Sequence, residues 1–328
     1  MFDLTSIYTW ILLILLGFNI GILSGFFGVG GCFILTPVLN ILGLPMVNAV
    51  GTGLFFAVIV SSLGGIKHYL AGNAIIKVSF IMGLSSFIGI KISQPLVIYL
   101  DQLHVAEFYI RLLYIILLLS LGFSTLRKNT TQTSTFPRKK QKKFFVFQCI
   151  ERIPPKVTIE SGMLPISIWV IVIIALLVGF LQGFMGVGGG FILVPILIIF
   201  LNMKPHNAVG TSLVTIVISS IFATFLYFQA GKVIVSVSLL LGTGSLFGVS
   251  FGVSATRNIM GESLKQLYGI FLILASLGVV MKSFNYDLFS IIYMLILSIG
   301  IGFLILFRYY FQGEYSSPFR KGWYVINW

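Results

Sequence analysis

Gly25-Phe-Phe-Gly-Val-Gly-Gly-Cys-Phe-Ile-Leu-Thr-Pro-Val-Leu39 returns as Gly183-Phe-Met-Gly-Val-Gly-Gly-Gly-Phe-Ile-Leu-Val-Pro-Ile-Leu197. The two stretches share 11 of 15 residues at an offset of 158. Asn48-Ala-Val-Gly-Thr52 likewise returns as Asn207-Ala-Val-Gly-Thr211. A repeat at fixed offset sets the architecture before any local signal is weighed. Each copy also places a glycine cluster and a proline inside an apolar run. Such paired interruptions in two halves of a membrane chain point to a transport site.

The composition makes it a membrane chain. The 328 residues are 58% hydrophobic and only 9% charged, with a mean hydropathy of +1.07. Soluble domains carry about 25% charged residues. The fold class expected is therefore all-α, a polytopic integral membrane protein of two homologous halves. A net charge of +13 would suggest nucleic acid in a soluble protein. Here it reads as basic loops against anionic lipid, with no nucleic-acid partner. The N-terminal Met1-Phe-Asp-Leu-Thr5 carries no positive charge, so the first apolar segment reads as a retained span. Cys32 and Cys149 have no metal-like or disulfide-framework spacing.

The apolar block 7–44 is too long for one span and short for two. Interruption at Gly28-Val-Gly-Gly31 and Pro37 predicts a helix, a break and a short second helix. Further spans are expected near 47–66, 75–98 and 108–126. The second half predicts 165–185, 190–202, 208–228, 233–254 and 265–281, and an unmatched apolar segment follows at 287–308. This gives four regions: a first repeat 1–126, a linker 127–164, a second repeat 165–282, and an extra helix with tail 283–328. The linker holds nine basic residues, Arg127, Lys128, Arg138, Lys139, Lys140, Lys142, Lys143, Arg152 and Lys156, against Glu151 and Glu160. Lys/Arg excess marks the cytoplasmic side. Phe144-Phe-Val-Phe147 can touch the interface.

With the linker inside, the remaining charges choose between two topologies. If the short helices cross, the halves are inverted. Lys204, Arg257, Lys265, Arg308, Arg320 and Lys321 then lie inside, and Lys232 and Lys282 outside. If the short helices are re-entrant, the sides exchange. The positive-inside rule favours inverted halves. The short segments would then be half-helices completed by unwound backbone, tolerated where protein buries it.

Glycine runs let other groups approach the backbone closely. The breaks predict helix N-termini near 31–33 and 189–191. Each carries about half a positive charge and free N–H donors, an anion site. Fixed dipoles also avoid a buried lysine, which costs roughly 2.5–3.5 kcal/mol at the bilayer centre. The candidate substrate-binding residues are Gly28, Gly30, Gly31, Gly186, Gly188, Gly189 and Gly190, with Asn48, Thr52, Asn207, Thr211 and Ser212. Close helix packing is the competing use of the glycines. For Asn48 and Asn207, helix capping and substrate contact both stay open; for Thr52 and Thr211, contact is favoured. Lys67-His68 reads as the interfacial end of a span, with Tyr227 in place of His68 in the repeat. His206 reads as a loop histidine or as a group that titrates during transport, and Lys91 and Arg111 as snorkelling cations or as part of an anion pathway.

Enzyme motifs are lacking. Phe33 and Phe191 stand where a dinucleotide fingerprint needs glycine, and no Gly-Lys-Ser/Thr closes a phosphate loop. His68, His104 and His206 have no metal spacing. Neither cofactor nor metal is expected.

Two copies of Gly-x-x-Gly-x-Gly-Gly-x-Phe-x-x-x-Pro, each followed by Asn-Ala-Val-Gly-Thr, resemble the TauE/SafE family of sulfite exporters and related permeases. The resemblance covers roughly 7–126 and 165–282. It implies a multi-span secondary transporter of the inner (cell) membrane, exporting a small anion such as sulfite or an organosulfonate. Cys32, where the second copy has Gly190, implies a first site that is narrower or less flexible. A passive anion channel and a non-transporting scaffold that recruits lipid through its linker are the alternatives. The partners expected are a small anion and membrane lipid; homo-oligomerisation stays open.

Overall fold

The computed structural model describes residues 7–126, 154–157 and 166–312, except 202, 258, 260 and 285. The linker's Phe144–Phe147 and Cys149, Arg320 and Lys321, and the side chains of Arg257 and Arg308 lie outside the described residues. The first half holds α1 (Ile7–Phe27), α2 (Cys32–Ile41), α3 (Met46–Leu70), α4 (Ile76–Gln102) and α5 (Ala106–Leu126). After a two-residue antiparallel pairing of β1 (Lys156–Val157) with β2 (Ile166–Ser167), five helices recur. They are α6 (Ile168–Met185), α7 (Gly190–Ile199), α8 (Pro205–Gln229), α9 (Val235–Arg257) and α10 (Gly261–Ser283). The unmatched α11 (Asp287–Gln312) follows.

Eight of the described helices, α1, α3 to α6 and α8 to α10, are long and apolar enough to cross a membrane. Their outer surfaces suit lipid. On α4, Phe80, Leu84, Ile88 and Ile92 are exposed while Ser79, Ser86 and Ser93 are buried. Water would reverse that arrangement; hydrocarbon favours it, because a hydroxyl without a partner is costly there. Each of these serines donates to a carbonyl: Ser79 to Ile75 and Thr211, Ser86 to Gly83, and Ser93 to Ile90.

The two halves interlock through reciprocal contacts. On α1, Gly17, Gly21 and Gly25 press on Leu241, Ser245 and Val249 of α9 in parallel register. On α6, Gly179 and Gly183 press on Ser86 and Ile90 of α4 in the same way. Small residues let backbones approach where apolar burial gives no driving force. The packing use of Gly25 and Gly183 is thus realised.

At the centre, α3 and α8 run antiparallel. The Ile75 N–H, just past α3, donates to Thr211 Oγ1 near the start of α8 at 3.0 Å. Reciprocally, Ile234 N–H, just past α8, donates to Thr52 Oγ1 near the start of α3 at 3.0 Å. Opposite running of equivalent helices is what halves of opposite orientation require.

His68 does not face the surroundings of the bundle. It lies inside α3, fully buried, with Nε2 2.9 Å from Gly25 O. Tyr227 takes the equivalent place and donates to Gly183 O at 2.6 Å. One polar ring thus ties the end of each half's first helix to its third. The span therefore continues to Leu70 rather than stopping near 66. Tyr227→Phe should lower thermal stability by about 0.6 kcal/mol, the mean for such bonds in membrane proteins, measured by unfolding in detergent. A change of several kcal/mol would mean the hydroxyl holds more than this one carbonyl.

Candidate functional site

The glycine breaks fall beside the middles of α3 and α8. A Cβ on Gly30 would lie 3.1 Å from Ser61 Oγ and 3.2 Å from Ile216 Cγ2. One on Gly188 would lie 3.4 Å from Ala57 and 3.6 Å from Ile216. The chain reaches this level by doubling back. Gly25, near the end of α1, is tied to His68 near the end of α3. Gly28 packs on Val209 and Ser212 at the start of α8, the same end of the bundle. Only then does the chain descend through Val29 and Gly30 to mid-height. From there α2 continues toward the start of α3, where Cys32 Sγ donates to Gly53 O. Break and half-helix together make the return crossing that ten residues of helix cannot make alone.

Both half-helices begin where expected, at Cys32 and Gly190. Their N-caps are Gly31 with φ 75° and Gly189 with φ 78°, left-handed values that favour glycine. Neither N-cap makes a side-chain hydrogen bond. The first N–H groups of such a helix have no intrahelical partner. Gly28, Gly30, Gly186 and Gly188 line the approach to these termini with the same backbone sense.

The two breaks touch. A Cβ on Gly190 would lie 2.5 Å from the carbonyl carbon and Cα of Val29. Thr36 Oγ1, on α2, donates to Gly186 O at 3.1 Å. Two helix N-termini of opposite sense are thereby brought together at the core of the bundle. Their surroundings are buried: Val29, Cys32, Phe33, Val187 and Phe191 are at most 1% exposed. Phe33 stacks on Phe191 with centroids 5.9 Å apart.

The hydroxyls singled out in the sequence have other tasks. Thr52 and Thr211 are fully buried and accept the inter-half bonds to Ile234 and Ile75. Ser212 donates to Gly28 O at 2.7 Å, bracing the first break. Its equivalent is Gly53, whose carbonyl takes Cys32 Sγ instead. Asn48 and Asn207 do not cap: the N-caps of α3 and α8 are Pro45 and Lys204. Both asparagines lie in the first helical turn, half-buried, two residues before Val50 and Val209, on which Gly186 and Gly28 pack. His206 is likewise inside α8 rather than in a loop. Arg111 does not simply snorkel: it pairs with Glu107 and reaches Asn40 Oδ1 at 3.5 Å. Lys91 is exposed on α4.

Sequence reasoning missed four polar residues facing the breaks. Gln182 and Ser220 are fully buried, and Gln182 Nε2 donates to Ser220 Oγ at 3.0 Å. Gln182 Oε1 lies 3.2 Å from the place a Gly189 Cβ would take. The equivalent positions in the first half hold Ser24 and Ser61. Both are fully buried, and neither hydroxyl has a partner. A signal was present: Gln182 is the one amide in the apolar run Ile168–Met185.

A two-fold set of broken helices inside lipid-facing spans is transporter architecture. Residues 13–281 match the family model described as sulfite exporter TauE/SafE. The chain belongs to the TauE/SafE family. A probable membrane transporter protein of Methanocaldococcus jannaschii is 25% identical, over 80% of this chain and 95% of its own length. The probable membrane transporter proteins YdhB and YunE of Bacillus subtilis are 28% and 26% identical. They cover 73% and 81% of this chain, and 89% and 95% of their own lengths. No solved structure matches significantly. This TauE/SafE chain is thus a multi-pass membrane protein of a transporter family, and its shared region spans both glycine breaks.

Proposed function

We propose that this chain is a secondary transporter that exports a small sulfur-containing anion, sulfite or an organosulfonate, across the cell membrane. The observation that carries the reading is the meeting of two helix N-termini at the centre of the bundle, where Gly190 packs on Val29. Each terminus supplies about half a positive charge without a lysine in the bilayer. No acidic residue competes there. Among the described residues, Asp101, Glu107, Glu262 and Asp287 all sit within two residues of a helix end. A fixed positive field without carboxylates suits an anion and opposes a cation. The family's description supplies sulfite as the first anion to test.

In this reading the halves are inverted and the basic linker is cytoplasmic. Alternating access arises when one half rocks on the other about the α3–α8 contact. Gly28, Gly30, Gly31, Gly186, Gly188, Gly189 and Gly190 shape the anion path, and Thr52, Thr211 and Ser212 hold its walls in register.

The test is uptake and counterflow in proteoliposomes with sulfite, sulfoacetate, thiosulfate and sulfate. Saturable uptake of at least one, accelerated by the same anion on the far side, is expected. Linear, unsaturable flux would establish a channel. Folded protein that moves none of the four would end the proposal.

A further inference from the structure

Ser24 and Gln182 occupy equivalent places on α1 and α6, and Ser61 and Ser220 on α3 and α8. In the second half Gln182 Nε2 donates to Ser220 Oγ at 3.0 Å, while Gln182 Oε1 has no hydrogen-bond partner. That oxygen faces the Gly189 break at the N-terminus of α7. A carbonyl oxygen there partly answers the positive end of the helix. In the first half the carboxamide is replaced by a hydroxymethyl group. Ser24 Oγ and Ser61 Oγ are both fully buried with no partner; Ser61 Oγ lies 3.1 Å from the place a Gly30 Cβ would take, and Ser24 sits in the last turn of α1, where its carbonyl accepts the Gly28 N–H. Buried hydroxyls without partners are rare, and each one calls for a ligand, a water or a cost.

We infer that the two breaks are unequal: the first-half break, with Ser24 and Ser61, takes the transported oxyanion, while Gln182 fills the second as a built-in substitute for it. The inference rests on the anion-transport reading above and adds which half binds. The chemistry fits an oxyanion on the first side. It accepts hydrogen bonds from two hydroxyls and from the free N–H groups at the start of α2, and needs no cation. Gln182 on the other side presents a neutral oxygen to the equivalent terminus, removing the need for a second anion. One anion then binds per cycle, despite two similar motifs.

Ser24→Gln copies the second-half side chain into the first. It should fill the site and cut the initial rate of sulfite uptake in proteoliposomes more than tenfold. Gln182→Ser, the reverse exchange, should cost several-fold less than Ser24→Gln, because it opens a site rather than closing one. Folding is checked by monodispersity and thermal unfolding in detergent. Should Ser24→Gln fail to fold, Ser24→Ala with Ser61→Ala reads the same site: KM for sulfite should rise about tenfold, and Thr243→Ala, at an exposed position of α9, should leave it unchanged. Equal losses from Ser24→Gln and Gln182→Ser, or an unchanged KM in the double alanine variant, would overturn the inequality while leaving anion transport intact. A wild-type protein inert toward every anion in the panel would remove both readings.

Discussion

Gly190→Cys should abolish anion uptake, while Cys32→Gly should leave it nearly intact. The first exchange writes the residue of the first motif into the second; the other does the reverse. By sequence they look symmetric, and the structure makes them opposite. A Cβ at Gly190 would lie 2.5 Å from two backbone atoms of Val29, with a third at 2.6 Å. Backbone cannot swing aside as the end of a flexible side chain can, so the two breaks must separate. Cys32 already has its room: Sγ is directed to Gly53 O, and it lies 3.6 Å from where a Gly188 Cβ would be. Overpacking of this kind costs about 1–3 kcal/mol, and a displacement near 1 Å at a binding centre can cost about 100-fold in rate. Gly190→Cys and the smaller Gly190→Ala should therefore both lower the unfolding temperature and lose about two orders of magnitude in sulfite uptake. Cys32→Gly loses the thiol's contacts with Gly53 O and Gly30 O and brings no new atom against the backbone. Wild-type uptake by Gly190→Cys would mean that the two breaks need not touch for transport.

The same comparison shows what the sequence can carry. Positions 31–33 and 189–191 were legible as helix starts because glycine clusters end one helix and proline later marks the next segment, and both signals are local. The all-α class and the outward apolar faces follow from composition. The expectation that Cys32 makes the first site narrower or less flexible is local too, and it carries no information about the crowding at Gly190. Closeness at Gly190 is set by Val29, 161 residues earlier in the chain, which only the packing of one half on the other reveals. His68 was read as interfacial because a Lys-His pair so often ends a span. Its burial depends on a carbonyl in α1 that no periodicity exposes. Ser24 and Gln182 lie outside the motif, so a reading centred on glycines passes over them. Aligning the two halves position by position brings them out.

Thr52→Val and Thr211→Val test the other role assigned from sequence, in which these hydroxyls contact the substrate. Each instead accepts an N–H from the opposite half, Ile234 for Thr52 and Ile75 for Thr211, both at 3.0 Å. These N–H groups stand at the entrances of α9 and α4, where a helix has no internal acceptor for them. Valine keeps the shape and removes the oxygen. The loss resembles that of an N-cap, about 1 kcal/mol and up to ~2; partial exposure of the amides keeps it below the cost of a fully buried orphan. The neighbouring bonds, Ser238 Oγ to Thr52 O and Ser79 Oγ to Thr211 O, use backbone oxygens and survive the exchange. The two sites share no partner and lie toward opposite ends of antiparallel helices, so their effects should add, giving about 2–4 kcal/mol for the double variant. Serine at either position retains the acceptor oxygen and should recover most of the loss. A structural role predicts lower unfolding temperature with an unchanged KM for sulfite among the molecules that remain folded. A substrate-contact role predicts the reverse, a raised KM at wild-type stability. Because the two bonds bind opposite halves across the α3–α8 contact, weakening them should also loosen the surface on which one half moves against the other. The double variant should therefore lose stability first and turnover second, with affinity last.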